Sequence, residues 1–317
     1  MVSNVNSIIT SGDLGGGLIP TEYATQIIQD APKSSVSLTR MRQIRMSTRT
    51  RTQPVLDSKP IGYWVGGDTG LKQTTKMKWS GLSITAEELA AIVPIPEAVI
   101  ADSGIPIWPE VMPRLASALG YKLDQATLFG VDKPSSFPDG IIPQAITAGN
   151  TLTQGKDLAK DVASMGQKLA EQGFAMNGFA SKPGLNWELI GLRNANGSPI
   201  YVPSLASGAP STLYGFGLNE VDNGAWDATK AVLLGADWSN FVVGIRQDIT
   251  YKLLDQSVIS DDNGKVILNL AQQDCVAMRV VFRVGIQIAN PINDVQPDKT
   301  KRFPAYVITP ASTSNGA

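Results

Sequence analysis

The sequence contains no histidine, and cysteine occurs once, at Cys275, among 317 residues. Without an imidazole there is no Ser-His-Asp or Cys-His nucleophile system and no His-ligated metal centre. A single thiol makes neither an intrachain disulfide nor a cysteine cluster, so no covalent staple assists folding. Excess charge is missing too. The 27 cations and 28 anions leave a formal charge of −1, with no overall pull toward nucleic acid or an anionic membrane. No apolar run approaches the roughly 20 residues that span a bilayer. The best stretches are interrupted, Leu89–Ile100 by Pro94, Pro96 and Glu97, and Val276–Ala289 by Arg279 and Arg283. Met1 to Gly17 has neither the basic start nor the apolar stretch of a signal peptide, so a soluble, unsecreted chain is expected. The bulk composition is that of a globular protein, with 43% hydrophobic and 17% charged residues. A chain of this length supports a core spread over two or three units.

The opening residues are rich in Asn, Ser, Thr and Gly and end in Gly15-Gly16-Gly17-Leu18-Ile19, which reads as an extended arm. A phosphate loop would need a following Gly-Lys-Ser/Thr, and none is there. Pro20 then opens a short amphipathic helix with Tyr23, Ile27 and Ile28 on one side. From Lys33 to Leu56 come Lys33, Arg40, Arg42, Arg45, Arg49 and Arg51, with no acid and no aromatic. The spacing places Arg40 with Arg42, and Arg49 with Arg51, on one face of an extended chain. A single-stranded nucleic-acid groove would interleave aromatics for stacking, so a solvated or salt-bridged strand is the better reading. Pairing with carboxylates on another subunit, where bidentate geometry suits arginine, stays open beside it.

Residues Ile61–Trp79 hold Gly62, Gly66, Gly67 and Gly70 in a Thr/Lys-rich loop, with Tyr63, Trp64 and Trp79 at its ends. Extended segments on either side predict a long two-stranded hairpin, which is marginal in water unless it lies on something else. The returning strand changes phase around Ala86–Glu88, which predicts a bulge or bend. Helical spacing covers Glu110–Phe129, a rod of roughly 30 Å with Pro109 or Pro113 in its first turn and Gly130 after its end. A second helix is expected over Lys156–Gln172, stopping at Gly173. Beyond it short strands and helices alternate, punctuated by Pro183, Gly197, Pro199, Pro203 and Pro210. Ser260-Asp261-Asp262-Asn263-Gly264 reads as a hairpin turn, since the ligand spacing of a calcium loop is absent. Val276 to Ile288 alternates as a strand of roughly 43 Å, far above the usual length.

An arm, a projecting hairpin, a rod and an overlong strand make a poor compact monomer, because they expose backbone and apolar side chains that a neighbouring subunit would have to cover. In order and spacing the chain resembles the major capsid proteins of tailed double-stranded DNA phages with the HK97 fold. Gly16-Gly17-Leu18-Ile19-Pro20 looks like the family's arm-to-helix junction. Tyr63-Trp64-Val65 followed by Leu71-Lys72-Gln73 resembles the start of its extended loop, the E-loop. Ile95-Pro96-Glu97 through Ile100-Ala101-Asp102-Ser103 resembles the lead-in to the spine helix. Leu123–Gly130 and Pro138-Asp139-Gly140-Ile141 look like the end of that helix and the next loop. Ala236-Asp237-Trp238 with Val242–Arg246, and Asp274 through Arg283-Val284-Gly285, complete the pattern.

The resemblance implies an α+β fold in six stretches: an N-terminal arm with a short helix (1–36), a first P-domain strand (37–50), the E-loop (51–82), the P-domain with its spine helix near 110–129 (83–140), the A-domain (141–272), and the P-domain return strand and C-terminus (273–317). It implies pentamers and hexamers of this one chain, closing an icosahedral phage head around packaged double-stranded DNA without sequence-specific binding. Portal and a separate scaffolding protein are the other expected partners, and whether a decoration protein binds stays open. The scaffold is expected to be separate because fewer than 20 residues precede Gly16-Gly17-Leu18. No cofactor, metal, membrane or catalytic residue is expected, and the location is the virion after synthesis in the host cytoplasm. Aligning Trp79-Ser80 with the family's aromatic-Ser pair puts Gly81 where some members carry a crosslinking lysine, so noncovalent stabilisation is expected. The inter-subunit contact candidates are Arg40, Arg42, Arg45, Arg49, Arg51, Trp64, Lys72, Lys76, Lys78 and Trp79. The alternatives are an encapsulin-type nanocompartment and, from another class, a histidine-free enzyme using Asp261/Asp262 or Glu87/Glu88, acids that ordinarily lie solvated on turns and bends.

Overall fold

The computed structural model describes residues 35–66, 70–193, 196–197, 201, 211–261 and 263–311. The expected arm, its Gly16–Pro20 junction and the Pro20 helix lie outside the described residues, as do Lys33, Gly67, Pro199, Pro203, Pro210 and Asp262. The chain forms two compact units, with residues 88–120 and 247–284 in the first and residues 35–87, 121–246 and 285–311 in the second.

In the first unit, parts of three strands lie side by side in the order Phe241–Leu254, Cys275–Ile288, Glu87–Pro96. The overlong strand is present, running 14 residues from Cys275 to Ile288, and Met278, Val280, Phe282 and Val284 on one parity are all buried. Arg279 and Arg283 on the other parity are half-buried. The turn expected at 260–264 joins the strands Val258–Ser260 and Val266–Asn269. Asp261 builds it as turn chemistry requires, its Oδ1 accepting from Asn263 N at 3.0 Å and Lys265 N at 2.8 Å. A small core of Leu268, Leu270, Cys275 and Ala277 closes beneath it.

The rod is the helix Ile107–Asp124, which starts earlier than the apolar spacing from Glu110 suggested. Pro109 falls in the first turn, where its missing N–H costs nothing, and Ile107 is buried there. Its last stretch, Gln125–Phe129, is a π-helix instead of a continued α-helix. There Thr127 Oγ1 donates to Leu123 O at 2.7 Å, a side-chain bond that competes with the backbone ladder. Gly130 ends it at φ +69°, where its lack of a Cβ removes the steric penalty.

The second unit corrects the strand expected over 37–50. Ser35 instead caps a short helix, Val36–Arg40, followed by the strand Arg42–Arg45, which pairs in parallel with Val242–Ile245. Arg40 and Arg42 therefore do not share a face of one extended chain. The cause is a distant carboxylate: Asp124 Oδ2 accepts from Val36 N at 3.1 Å and Oδ1 from Ser37 N at 3.0 Å, satisfying the donors that open a helix. The remainder of the unit is built on a six-stranded sheet in the order Thr151–Thr153, Ala305–Thr309, Leu233–Ala236, Gly178–Ser181, Phe216–Glu220, Thr212–Leu213. The second predicted helix, Leu158–Glu171, lays Leu158, Val162, Met165 and Leu169 into a core shared with Phe179, Leu218, Leu233 and Ile308. Asp157 caps it by accepting from Ala159 N and Lys160 N.

Candidate assembly surface

The hairpin is the most conspicuous surface of the second unit. Its strands Thr50–Ser58 and Lys78–Thr85 pair antiparallel, with Arg51 opposite Ile84 and Leu56 opposite Trp79. Ala86 interrupts the returning strand where the phase change predicted a break, and its N–H donates to Arg49 O at 2.8 Å. Proline is tolerated at Pro54 because a two-stranded ribbon leaves one edge of each strand unpaired. The base is tied to the C-terminal segment, with Ile292 N donating to Leu56 O at 3.1 Å and Lys59 Nζ on Asp294 Oδ2 at 2.8 Å.

Past the base, the described residues of 59–77 form no helix or strand. Trp64 is fully exposed, Leu71 is 92% and Ile61 75% exposed, and Met77 and Trp79 also face solvent. Isolated exposed apolar residues are unremarkable, whereas these fall together within the single stretch 61–79. Lys72 and Lys76 stand exposed beside them, and Lys78 lies 3.7 Å from Asp57, too long for a strong pair. Gly81 sits opposite Pro54, and a Cβ there would meet Thr52 Cγ2 at 2.7 Å. A larger residue at this position would have to displace the Thr52 methyl, an exposed side-chain group.

The arginines separate into different environments. Arg49 Nη2 reaches Glu87 Oε2 at 3.1 Å, a pair whose arginine side chain is mostly solvated and which contributes about 0–1 kcal/mol. Arg51 Nη1 donates to Arg45 O at 2.7 Å, which brings Arg45 and Arg51 together. Arg42 and Arg45 are exposed. Arg40 alone is half-buried, its Nε donating to Asn219 Oδ1 at 2.7 Å, and burial pushes its guanidinium pKa down.

The spacing of residues along the chain does not reveal Asp124. This fully buried carboxylate accepts from Ser35 Oγ at 2.7 Å and Asn223 Nδ2 at 2.6 Å as well as from Val36 N and Ser37 N. No cation pairs with it among the described residues. It joins the start of the described chain, the end of the rod and the loop at Asn223, and so sets where residues 35–40 begin.

The acids weighed as an enzyme's pair lie in different settings. Glu87 is engaged by Arg49, Glu88 is exposed, and Asp261 is consumed by its own turn. Burial, reinforced by Asp274 and Glu97, pushes the Cys275 thiol pKa up, which disfavours the thiolate that acts as nucleophile. A recess of about 280 Å³ has Leu158, Val162, Leu189 and Leu213 on its walls beside Tyr201, Thr212 and Tyr214, and its Tyr201 hydroxyl donates to Thr212 O. Among the described residues no cluster of acids and thiols has the makings of a metal site, and no helix is long and apolar enough to cross a membrane.

Comparison with known proteins gives the following likenesses. The model of the Phage capsid family matches residues 15–293. The major capsid protein of Staphylococcus phage 80alpha is 24% identical over 278 residues, covering 86% of this chain and 82% of that protein. A solved structure from Microbacterium phage Oxtober96 is similar with a TM-score of 0.80 at 37% identity, over 96% of this chain and 100% of that one. Another, from Mycobacterium phage Cain, has a TM-score of 0.81 at 32% identity, over 97% of this chain and 100% of that one.

Proposed function

This chain belongs to the phage capsid family, with the HK97-like α+β fold, and from that premise we propose how its copies close into a shell. It is a major capsid subunit, a structural component of the virion whose relatives are structural proteins. The observation that carries this is the family match across most of the chain. In the proposed assembly, pentamers and hexamers close an icosahedral head around double-stranded DNA that is held without sequence readout. Ring closure demands heterologous contacts, and projecting elements let one sequence meet slightly different neighbours.

Residues 51–82 act as the E-loop, 1–36 as the arm, 141–272 as the A-domain, and the 37–50, 83–140 and 273–317 stretches as the P-domain. Docking of the hairpin, with Trp64 and Trp79 as apolar anchors and Lys72, Lys76 and Lys78 at its margins, supplies noncovalent contact between subunits. Arg42, Arg45, Arg49 and Arg51 add charge pairs whose individual weakness is offset by repetition around the shell. Glycine at 81 favours this noncovalent route, since the position lacks a lysine for crosslinking. Synthesis in the host cytoplasm, a separate scaffold and a portal complete the proposal. The phage origin of the relatives favours a virion over an encapsulin-type compartment.

Electron microscopy and sedimentation of the chain produced with its scaffold should show rings or shells, with DNA inside mature particles. A stable monomer that never assembles would overturn the shell reading. Particles that enclose an enzyme and no DNA would favour the nanocompartment.

A further inference from the structure

We infer that Arg302 is a positioning residue for the hairpin: it holds residues 289–304 as a bracket that fixes the direction in which 59–77 leaves the paired strands. The inference rests on the shell reading, because that stretch carries the proposed docking residues. Residues 289–304 connect the strands Cys275–Ile288 and Ala305–Thr309. Arg302, only 4% exposed, closes this loop from within. Its Nε donates to Asn290 Oδ1 at 3.0 Å and to Pro291 O at 3.1 Å. Its Nη1 donates to Gln296 O at 3.2 Å and Pro297 O at 2.5 Å, and its Nη2 to Asn290 O at 3.3 Å. Asn290 Nδ2 in turn donates to Arg302 O at 2.8 Å. One planar cation thus draws 290–291 and 296–297 together through neutral oxygens. A lysine ammonium, with its three donors on one nitrogen, cannot reach acceptors spread around a fork. Burial pushes the guanidinium pKa down, opposed by the carboxylates of Asp298 and of Asp57, the latter on the hairpin strand Thr50–Ser58.

The link outward is one peptide group. In a planar trans peptide the C=O and N–H point in opposite directions. The carbonyl of Pro291 faces Arg302, and the N–H of the same peptide, Ile292 N, donates to Leu56 O at 3.1 Å. Cation and hairpin therefore hold opposite ends of a rigid plane. Two residues on, Asp294 Oδ2 lies 2.8 Å from Lys59 Nζ. Asn293 anchors the bracket elsewhere, its Nδ2 donating to Gln172 O at 2.8 Å and its Oδ1 accepting from Gln296 N at 2.7 Å. Gln172 directly follows the helix Leu158–Glu171, whose apolar side lies in the core. On the hairpin the tethers fall where the pairing is irregular. Leu56 lies opposite Trp79 and Ser58 opposite Lys78, which leaves Asp57 as an extra residue. A bulge bends its strand, so the ribbon would change direction here if the bracket let go. The tethers are individually weak, one exposed ion pair and one backbone hydrogen bond, so the direction they impose depends on a rigid bracket.

The test uses the full chain produced with its scaffold. Arg302→Lys keeps the charge and loses the fork. Lys59→Glu sets two carboxylates against each other at the exposed tether, and Lys59→Glu with Asp294→Lys restores an opposite-charge pair. In unassembled subunits, Arg302→Lys and Lys59→Glu are expected to speed hydrogen exchange at Ile292 N by about tenfold or more, with the amides of Leu158–Glu171 unchanged. Shell yield is expected to fall by about tenfold in both, because misaimed docking residues cannot all engage. Lys59→Glu subunits should keep the wild-type melting temperature, a combination that a role in stability alone would not give. The charge swap should recover both exchange and yield. Wild-type yield from folded Arg302→Lys subunits, unchanged exchange at Ile292, or a Lys59→Glu loss that the swap does not recover overturns the inference and leaves the shell reading intact. If Arg302→Lys does not fold, Lys59→Glu and its swap decide alone. If the wild-type chain forms no shell, the shell reading falls, and exchange at Ile292 still decides whether the bracket holds the hairpin.

Discussion

Replacing Asp124 by alanine removes the acceptor for four donors that come from two other parts of the chain, residues 35–37 and Asn223. Ser35 keeps one role, since its Oγ still accepts from Leu38 N at 3.2 Å. The N–H groups of Val36 and Ser37 keep none, and both residues are buried, at 6% and 0% exposure. A buried donor left without an acceptor costs about 1–3 kcal/mol, and a hydrogen bond to a charged group contributes about 1.5–3. Such terms overlap, so the expected loss is about 3–5 kcal/mol, the range seen when a buried charge network is broken. Against a total stability of about 5–15 kcal/mol this is a large fraction. Asp124→Asn keeps the shape but points an amide N–H₂ at donors whichever way it is turned, and should lose about half as much. Urea denaturation of unassembled subunits measures both. Hydrogen exchange localises the effect, with the amides of Val36 and Ser37 opening first and those of Leu158–Glu171 following only on global unfolding. If both variants unfold within about 1 kcal/mol of wild type with unchanged exchange at Val36 and Ser37, Asp124 is not what holds this junction.

Three further outcomes follow from other sites. Gly140→Ala should destabilise by about 1–3 kcal/mol or more, because its Cβ would collide with Gly130 N and lie 2.5 Å from Phe129 C, both of them backbone; thermal melting reads the shift. The Asp227 carboxyl is held below the usual carboxylate range, first by the Thr229 hydroxyl and then by Thr229 N and Lys230. A carboxyl lowered on folding stabilises at neutral pH and loses that contribution as pH falls through the carboxylate range, so Asp227→Asn should flatten the acid limb of stability against pH. Cys275, buried and with a raised thiol pKa, should react with an aromatic disulfide reagent only at the rate of local opening. Fast labelling of native subunits would contradict its burial.

Much of this fold was legible because it is periodic. The strand at Cys275–Ile288, the helix at Leu158–Glu171, the hairpin and the 260–264 turn each announce themselves within a short window of residues. The break at Ala86 was legible for the same reason, as a change of parity. The helix Val36–Arg40 was not, because its donors are satisfied by Asp124, 88 positions from Val36 in the chain. The seat of Arg40 beside Gly178 and Gly217 depends on those glycines meeting across two strands, and neither signals that meeting locally. Nor does a charge run show which arginine is half-buried: Arg40 and Arg49 look alike in sequence and differ in what surrounds them.

The exposed hairpin also gives the subunit an optical handle. Of its six tryptophans, Trp226 and Trp238 are buried within the chain at 9% and 2% exposure, whereas Trp64 and Trp79 stand in water on the hairpin. Indole emission shifts to the blue when water is excluded, so with the exposed Trp187 replaced by phenylalanine, hairpin docking would be recorded as light from Trp64 and Trp79 over the background from Trp108, Trp226 and Trp238. A growing shell could then be followed in real time without any label, and Trp64→Phe would report whether the signal comes from the loop.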